Sequence, residues 1–365
     1  MNGLNGLDWV GAPLRLDLAL QGGGSHGAFT WGVLDRLLED EDFAIGGVSG
    51  TSAGALNAAV LATGLVRGGR AGAREALRRF WQDVSAGAQV FSPFALSQSR
   101  AAADNFNFDR LASYRWIGNF LRTFSPYEFN PLNLNPLRDM VQRHVDEEVL
   151  RHCHERRGAD DDGLPLRLFV TATAVRTGQA RVFSGGELGV DALLASACLP
   201  MMFQAVEIEG EPYWDGGYSG NPAIFPLLQG GEGRDVLLVK INPLRRDATP
   251  TRSTEILERL GEITFNAGLL AEMRAIEAVS RLLREQPGGA CRALRLHMVA
   301  DDEGLAPFNA SSKFNTDAAF IGQLFALGRA AAQRWIERCK RDVGRRSSLD
   351  IRREFLLPPA CLSSA

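Results

Sequence analysis

The first part of the chain alternates short apolar runs with longer amphipathic stretches. Residues 14–20 alternate and then run apolar, which predicts a strand, and residues 28–39 carry apolar side chains at helical spacing. Residues 43–49 predict a second strand, and residues 53–64 a second helix. Because strands and helices alternate in this way, we expect an α/β fold with a parallel sheet.

The same patterns continue to about residue 341. Two hairpins are predicted, one pairing residues 166–175 with 180–184 and one pairing residues 206–208 with 212–214. The other predicted elements are helices at 74–84, 136–150, 192–198, 253–284 and 316–341, and strands at 235–241 and 293–299. The tail from Arg345 carries little pattern.

Residues 91–129 differ from the rest of the chain. They hold ten of its 30 aromatic side chains, without a clean period. These aromatics could cap an apolar channel, contact a membrane interface, or fill the core of a helical insertion at about residues 88–150. Large aromatic side chains mostly serve packing, so the core is the favoured interpretation.

The composition is that of a globular protein and limits which partners and locations are expected. The chain has 365 residues, of which 45% are hydrophobic and 23% charged, enough for one large α/β domain with additions or for two domains. The formal net charge of -3 gives no broad attraction to nucleic acid or to an anionic membrane, and we expect no nucleic-acid partner. No apolar run reaches 18 residues, and residues 1–13 lack the features of a signal peptide.

The five cysteines are scattered and lack metal-binding spacing. They are Cys153, Cys198, Cys291, Cys339 and Cys361. Free thiols fit this pattern best, and free thiols persist in a reducing compartment, so a cytoplasmic location is expected.

The pentapeptide Gly50-Thr51-Ser52-Ala53-Gly54 lies between the second predicted strand and the second predicted helix. A serine on a sharp strand-to-helix turn has its hydroxyl exposed, and such a turn requires small residues two positions to either side. The order of elements therefore predicts that Ser52 is a nucleophile.

The stretch Gly22-Gly23-Gly24-Ser25-His26-Gly27 joins the first strand to the first helix. Glycines there let backbone N–H groups converge at a helix N-terminus, where they could hold a phosphate or an oxyanion. The spacing also matches a dinucleotide-binding loop, but that loop requires an acidic residue at the end of the next strand. Ser52 follows that strand instead, which disfavours a dinucleotide-dependent oxidoreductase.

Ser52 needs a base. His297 is the only histidine that follows both Ser52 and Asp215, but it alternates within a predicted strand, where a histidine with satisfied hydrogen bonds is the expected interpretation. His152 and His154 are two residues apart and could not share a metal on a helix. The other candidate base is Asp215, in Asp215-Gly216-Gly217. A conventional triad hydrolase fits poorly, because its serine follows several strands.

These three motifs, in this order, resemble the patatin-like phospholipase family. Residues 195–200 and 215–222 also resemble the family's sequence around its aspartate, and the similarity covers roughly residues 14–245. The resemblance implies a three-layer α/β/α fold with a central, mostly parallel sheet. It also implies a lipid acyl hydrolase that acts on a lipid or fatty-acyl ester without metal or cofactor.

The resemblance assigns a role to each motif. Ser52 would be the nucleophile and Asp215 the general base of a Ser–Asp dyad, with no histidine. The implied oxyanion-hole donors are Gly22, Gly23 and Gly24, the nucleophile elbow is Gly50, Thr51, Ala53 and Gly54, and the supporting residues are Gly216, Gly217 and His26. The family usually has Arg or Lys where this chain has His26, which exchanges a permanent cation for a titratable one.

The implied domain organisation has four parts. Residues 1–13 form a flexible N-terminus, residues 14–245 the patatin-like domain, residues 246–344 a helical extension with the last strand, and residues 345–365 a tail. Phospholipid, lysophospholipid, neutral glyceride and storage polyester all remain open as substrates. A catalytically silent protein that keeps the fold is the other alternative.

Overall fold

The structure, a computed structural model, describes residues 13–91, 101, 105–153, 166–228, 235–246, 248–285 and 294–357. An eight-stranded sheet lies at its centre. The strands are β1 Leu14–Leu20, β2 Phe43–Thr51, β3 Arg167–Ala174, β4 Ala180–Ser184, β5 Val206–Ile208, β6 Glu211–Asp215, β7 Asp235–Val239 and β8 Arg295–Val299. Both predicted hairpins are present, β3 with β4 and β5 with β6.

The strands are hydrogen-bonded in the order β5-β6-β3-β2-β1-β7-β8, and β4 also pairs with β3. The four pairings among β3, β2, β1, β7 and β8 are parallel, whereas β4, β5 and β6 form the antiparallel ones. The loops that follow β1, β2 and β7 therefore emerge at the same edge of the sheet, where α/β proteins place their sites.

Helices cover both faces of the sheet. They are α1 Gly27–Glu39, α2 Ala53–Phe91, α3 Ala112–Thr123, α4 Pro126–Phe129, α5 Pro136–His144, α6 Glu147–His152, α7 Val190–Ser196, α8 Phe225–Leu228, α9 Ser253–Glu285, α10 Asp302–Leu305 and α11 Ala318–Cys339. Among the described residues, no helix combines the length and apolarity that crossing a bilayer requires.

Alternation along the strands divides the core in two. Leu16, Leu18 and Leu20 of β1 pack with α1, α2 and α11, whereas Ala19 between them packs with α9 on the other face. Successive strand residues point to opposite faces, so one buried strand supplies both cores. The predicted three-layer α/β/α fold with a mostly parallel sheet is confirmed.

Two predicted helix boundaries were wrong. The helix that begins at Ala53 extends to Phe91, with a break where Gly68 and Gly69 leave helical geometry. The helix predicted for 136–150 is two helices, because Val145 is extended and the Asp146 side chain caps α6 by accepting from the Glu148 amide. The tail also gains structure, since Ile351 and Phe355 pack into the second core.

The aromatic segment splits into two parts. Phe108 is buried, and Phe106 stacks on Phe320 of α11 with ring centroids 5.0 Å apart. By contrast, α3 contains no buried residue, and Trp116 on it is 68% exposed. The favoured core interpretation therefore holds for Phe106 and Phe108, whereas α3 contributes only the partly buried Tyr114 and Ile117 to the small cluster around Phe108. Phe94 lies outside the described residues.

Candidate active site

Ser52 lies at the turn from β2 into α2, with φ of 53°. This left-handed conformation is strained for any residue but glycine, and it is typical of a nucleophile elbow. A Cβ on Gly50 would be 2.6 Å from the carbonyl carbon of Gly54, and a Cβ on Gly54 would be 2.2 Å from the carbonyl oxygen of Leu20. Only glycine fits at either position, which explains the pentapeptide.

Strand pairing brings Asp215 to this turn. Along Phe169–Thr173, one edge of β3 is occupied by β4, so β2 and β6 must share the opposite edge. There, β2 ends with Thr51 opposite Thr171, and β6 ends with Asp215 opposite the next residue, Ala172. Adjacent strand residues are about 3.3 Å apart, so the ends of β2 and β6 meet. The structure thus brings Ser52 and Asp215 together.

The two oxygens of the Asp215 carboxyl differ in their hydrogen bonding. Oδ1 accepts a hydrogen bond from the Gly217 amide at 2.7 Å, whereas Oδ2 is buried without a hydrogen bond of standard geometry from any described residue. Burial raises the pKa of Asp215 to about 6, although the Gly217 amide, the Ser52 hydroxyl and the Lys313 ammonium oppose part of this shift. The carboxylate is therefore ionised at neutral pH and a stronger base than an ordinary aspartate.

The two glycines after Asp215 are required by close packing. A Cβ on Gly216 would be 2.1 Å from the carbonyl oxygen of Thr171, and one on Gly217 would be 2.2 Å from the Phe265 ring. The Thr51 hydroxyl also donates to the Gly220 carbonyl oxygen at 2.7 Å. The aspartate loop and the serine turn are consequently packed as one unit.

The glycine loop (residues 22–24) adjoins the serine turn, because β1 and β2 are parallel neighbours. The Gly22 amide, however, donates to Asn221 Oδ1 at 2.6 Å, so the expectation that this N–H group serves an oxyanion was wrong. Within the described part of the chain, the N–H groups of Gly23 and Gly24 donate no hydrogen bond. These two donors are the ones that remain for a ligand.

Sequence reasoning missed two polar side chains that hold the site together. Ser196 Oγ accepts from the Ser52 amide at 2.9 Å and donates to the Thr171 carbonyl oxygen at 2.6 Å. Asn221, besides holding Gly22, accepts through its backbone oxygen from the Gln21 side chain at 3.1 Å. Both residues lie in stretches that resemble the family, but nothing in the local sequence indicated these contacts.

His26 is not the titratable cation that the sequence suggested. It is 3% exposed, and burial, together with the charges of Lys313 and Arg246, lowers the pKa of His26 to about 3. Its Nε2 lies 2.8 Å from Ser312 Oγ, whose hydroxyl donates to the Asn309 carbonyl oxygen, so Nε2 carries the proton and donates. His26 therefore stays neutral in the physiological range.

The remaining histidines and cysteines lie elsewhere. His297 is fully buried and hydrogen-bonded to Asp235 at 3.0 Å and to Ser348 at 2.8 Å, which confirms a structural histidine. Cys153, Cys198 and Cys339 are free, while Cys291, Cys361 and His154 fall outside the described residues. The residues that the structure describes contain no cluster of side chains suited to a metal ion.

Comparison with solved structures gives weak likenesses. VipD from Legionella pneumophila is 15% identical with a TM-score of 0.36, over 87% of this chain and 67% of that one. Two structures of ExoU with SpcU from the type III secretion system of Pseudomonas aeruginosa are 18% identical, with TM-scores of 0.29 and 0.34. They match over 88% and 89% of this chain, which spans 53% and 52% of the chains it matches.

The family comparison is more informative. No curated protein shows significant similarity to the chain. The family model described as patatin-like phospholipase matches residues 18–228, more than half of the chain. This range includes Ser52, Asp215 and the glycine loop, and the fold agrees with the match. The chain therefore belongs to the patatin-like phospholipase family.

Proposed function

We propose that this protein is a lipid acyl hydrolase that forms a covalent acyl-enzyme on Ser52, with Asp215 as general base. The observation that carries the proposal is the meeting of β2 and β6 at one edge of β3. It brings a strained, partly exposed serine beside a buried carboxylate whose Oδ2 accepts no hydrogen bond of standard geometry from the described residues, while the Ser52 hydroxyl already lowers the pKa of that carboxylate. Family membership supports lipid hydrolysis in general, and this geometry supports the dyad.

The first half of the reaction transfers the acyl group to Ser52. Its Oγ bonds to the ester carbonyl carbon while its proton passes to Asp215 Oδ2. The carbonyl oxygen becomes an oxyanion, which the N–H groups of Gly23 and Gly24 and the N-terminal dipole of α2 stabilise. The intermediate then collapses: the bond to the alcohol or lysolipid breaks, and that leaving group takes the proton from Asp215.

The second half releases the fatty acid. Asp215 accepts a proton from water as the water oxygen attacks the acyl carbon, and the same N–H groups hold the second oxyanion. When this intermediate collapses, the bond to Ser52 Oγ breaks and Oγ recovers a proton from Asp215. The free enzyme is restored, so two residues suffice and no histidine takes part.

An exposed apolar surface supports access to lipid from a membrane. We call it the interfacial patch, and it comprises Trp116, Phe124, Tyr127, Phe129, Leu132 and Leu134, which are 36% to 79% exposed. Helix α3 carries Arg115 and Arg122 but no acidic residue. Apolar and aromatic side chains flanked by arginines favour the interface of an anionic bilayer.

The interfacial patch is joined to the loop that supports Asp215. The Tyr127 hydroxyl accepts from the Ala205 amide at 3.2 Å, and the Gln204 side chain donates to the Asn130 carbonyl oxygen at 2.8 Å. At the other end of this loop, the Cys198 carbonyl oxygen accepts from the Asp215 amide at 2.7 Å. Contact with a bilayer would therefore take place close to the site.

Hydrolysis of defined lipids tests the proposal. Phosphatidylcholine vesicles, lysophosphatidylcholine micelles, an emulsified triglyceride and a storage polyester would each be incubated with the protein, and the products identified by mass spectrometry. We expect fatty acid and a lysolipid or glycerophospho-alcohol from the phospholipids, with no product from Ser52→Ala. Equal release by Ser52→Ala would refute the proposal, and release only from the polyester would reassign the substrate.

A further inference from the structure

Lys313 lies beside the glycine loop, although neither the sequence motifs nor the proposed dyad includes it. Its carbonyl oxygen packs against Gly24 so closely that a Cβ there would be 2.4 Å from it. Its Nζ donates to Asn242 Oδ1 at 2.7 Å, and Asn242 Nδ2 in turn donates to the Gly22 carbonyl oxygen at 2.7 Å. A short chain of contacts thus joins the ammonium group to the loop.

The Lys313 ammonium has no ion-pair partner among the described residues. Among the described residues, no carboxylate oxygen lies within 4.0 Å of Nζ, and Asn242 is the only hydrogen-bond acceptor, so two N–H bonds are unused. Glu262, the carboxylate with the largest electrostatic effect on Lys313, is paired with Arg246 at 2.6 Å and with Arg259 at 2.9 Å. A partly buried cation without a partner destabilises a fold, so its presence beside the glycine loop points to a negative charge that arises during function.

Charged and titratable groups from four elements face Lys313. Glu262 and Glu258 come from α9, Arg246 follows β7, Asp215 ends β6, and His26 follows β1. Burial lowers the pKa of Lys313 to about 8, an effect that the three carboxylates oppose and Arg246 reinforces. Since His26 is neutral and Arg246 is paired with Glu262, Lys313 is the cation of this group that no described carboxylate contacts.

We propose that Lys313 supplies the positive charge that stabilises the oxyanion during acyl transfer at Ser52. This inference rests on the proposed function. The oxyanion forms only as the reaction proceeds, so a fixed cation in a weakly polar site lowers the barrier more than it strengthens substrate binding. Because Lys313 loses its proton near pH 8, the rate falls as the pH rises through that value, whereas Asp215 governs the acidic side.

Kinetics with an uncharged, soluble p-nitrophenyl ester test this role, since such a substrate has no headgroup for Lys313 to bind. For Lys313→Met we expect kcat to fall about 10- to 100-fold, with little change in KM and no alkaline limb. Lys313→Arg should keep most of the rate at pH 7 and move the alkaline limb beyond pH 10, since a guanidinium keeps its proton there.

Glu258→Gln is the matched control. Burial raises the pKa of Glu258 to about 7, so its own titration could be mistaken for that of Lys313. The control should retain an alkaline limb, and the pKa of that limb should be slightly lower because Lys313 loses a negative neighbour. Loss of the limb in this variant would overturn the assignment to Lys313.

The remaining outcomes are equally decisive. Wild-type kcat and an unchanged alkaline limb in Lys313→Met would overturn the inference. Should that variant fail to fold, Lys313→Arg decides, because an unmoved alkaline limb in it has the same meaning. Failure of the proposed function looks different: the wild type itself would then hydrolyse no ester and resist a fluorophosphonate probe.

Discussion

Ser52 and Asp215 lie where two strands meet end to end along one edge of β3. The strands approach from opposite directions, and each ends in a turn whose glycines admit no side chain. A nucleophile and a buried carboxylate are thereby held together by strand pairing rather than by flexible loops. Such rigid support is what precise orientation of reacting groups requires.

The rate should depend on ionisation of Asp215. Because the base must be unprotonated and its pKa is about 6, kcat/KM on a soluble ester should rise as pH increases through 6. Asp215→Asn should reduce kcat by about 10²- to 10⁴-fold. A pH–rate profile that stays flat from pH 4 to 7 would contradict the assignment.

The same carboxyl should destabilise the fold at high pH. Its folded pKa of about 6 exceeds the ordinary value of 3.8, so the cost of burying the charge is complete above pH 6 and absent below about 4. Asp215→Asn removes that cost, which for a shift of this size is about 2 to 3 kcal/mol. The Tm of Asp215→Asn should exceed that of the wild type at pH 8, and the difference between the two Tm values should shrink toward pH 5. A lower Tm at pH 8 would contradict this expectation.

Replacing Ser196 should lower both the stability of the fold and the rate, because its side chain supports the serine turn. Ser196→Ala leaves the Ser52 amide and the Thr171 carbonyl unsatisfied, which should lower the free energy of unfolding by about 1 to 3 kcal/mol. Since the nucleophile loses its support, kcat/KM should fall roughly 10- to 100-fold.

Ser49→Ala is the control for Ser196→Ala. Ser49 is equally buried on β2, three residues before Ser52, and its hydroxyl donates to the Ala223 carbonyl oxygen at 2.5 Å rather than to a group of the serine turn. Ser49→Ala should lower the free energy of unfolding by a similar amount and leave kcat/KM unchanged. Parallel losses of rate in both variants would show that Ser196 has only a structural role.

Replacing His297 distinguishes a Ser–Asp dyad from a triad that includes histidine. His297→Asn breaks hydrogen bonds to Asp235 and Ser348 in a fully buried position, so we expect a loss of about 1 to 3 kcal/mol in unfolding free energy. The rate at a temperature well below its Tm should remain near that of the wild type. A collapse of kcat to the level of Asp215→Asn would restore histidine as the base.

Local patterns predicted the parts of the site that are local in sequence. The serine turn and glycine loop could be recognised because each depends on glycines within a few residues of each other. Ser196, Asn242 and Lys313 could not, because their partners come from distant segments. The role of Gly22 failed for the same reason: Asn221, far along the chain, occupies its N–H group.

Exposure was the other property that the sequence did not determine. The aromatic segment carries no clean period, so its pattern fits a core as well as a surface. The core was favoured only because large aromatic side chains are buried more often than exposed. In the structure α3 contains no buried residue, and only the partly buried Tyr114 and Ile117 pack against the small cluster around Phe108, which is itself fully buried. Likewise, the charge of His26 depends on burial and on Lys313, neither of which its neighbours reveal.

The interfacial patch should govern binding to vesicles. Trp116→Ser combined with Leu132→Ser replaces side chains that are 68% and 79% exposed, so Tm should stay unchanged while binding to anionic vesicles in a flotation assay falls several-fold. Val66→Ser is the control, since Val66 is 64% exposed but lies about 20 Å along α2 from Ser52. Equal binding by both variants would exclude the patch as the membrane contact, and a lowered Tm in the double variant would indicate packing.

Labelling of the nucleophile tests the dyad most directly. The protein would be treated with a fluorophosphonate probe at pH 7.5 and digested, and the modified residue located by mass spectrometry. We predict a single adduct on Ser52, none in Ser52→Ala, and strongly slowed labelling in Asp215→Asn but not in His297→Asn. A wild type that resists the probe, or a Ser52→Ala variant labelled at the wild-type rate, would contradict the Ser52–Asp215 dyad.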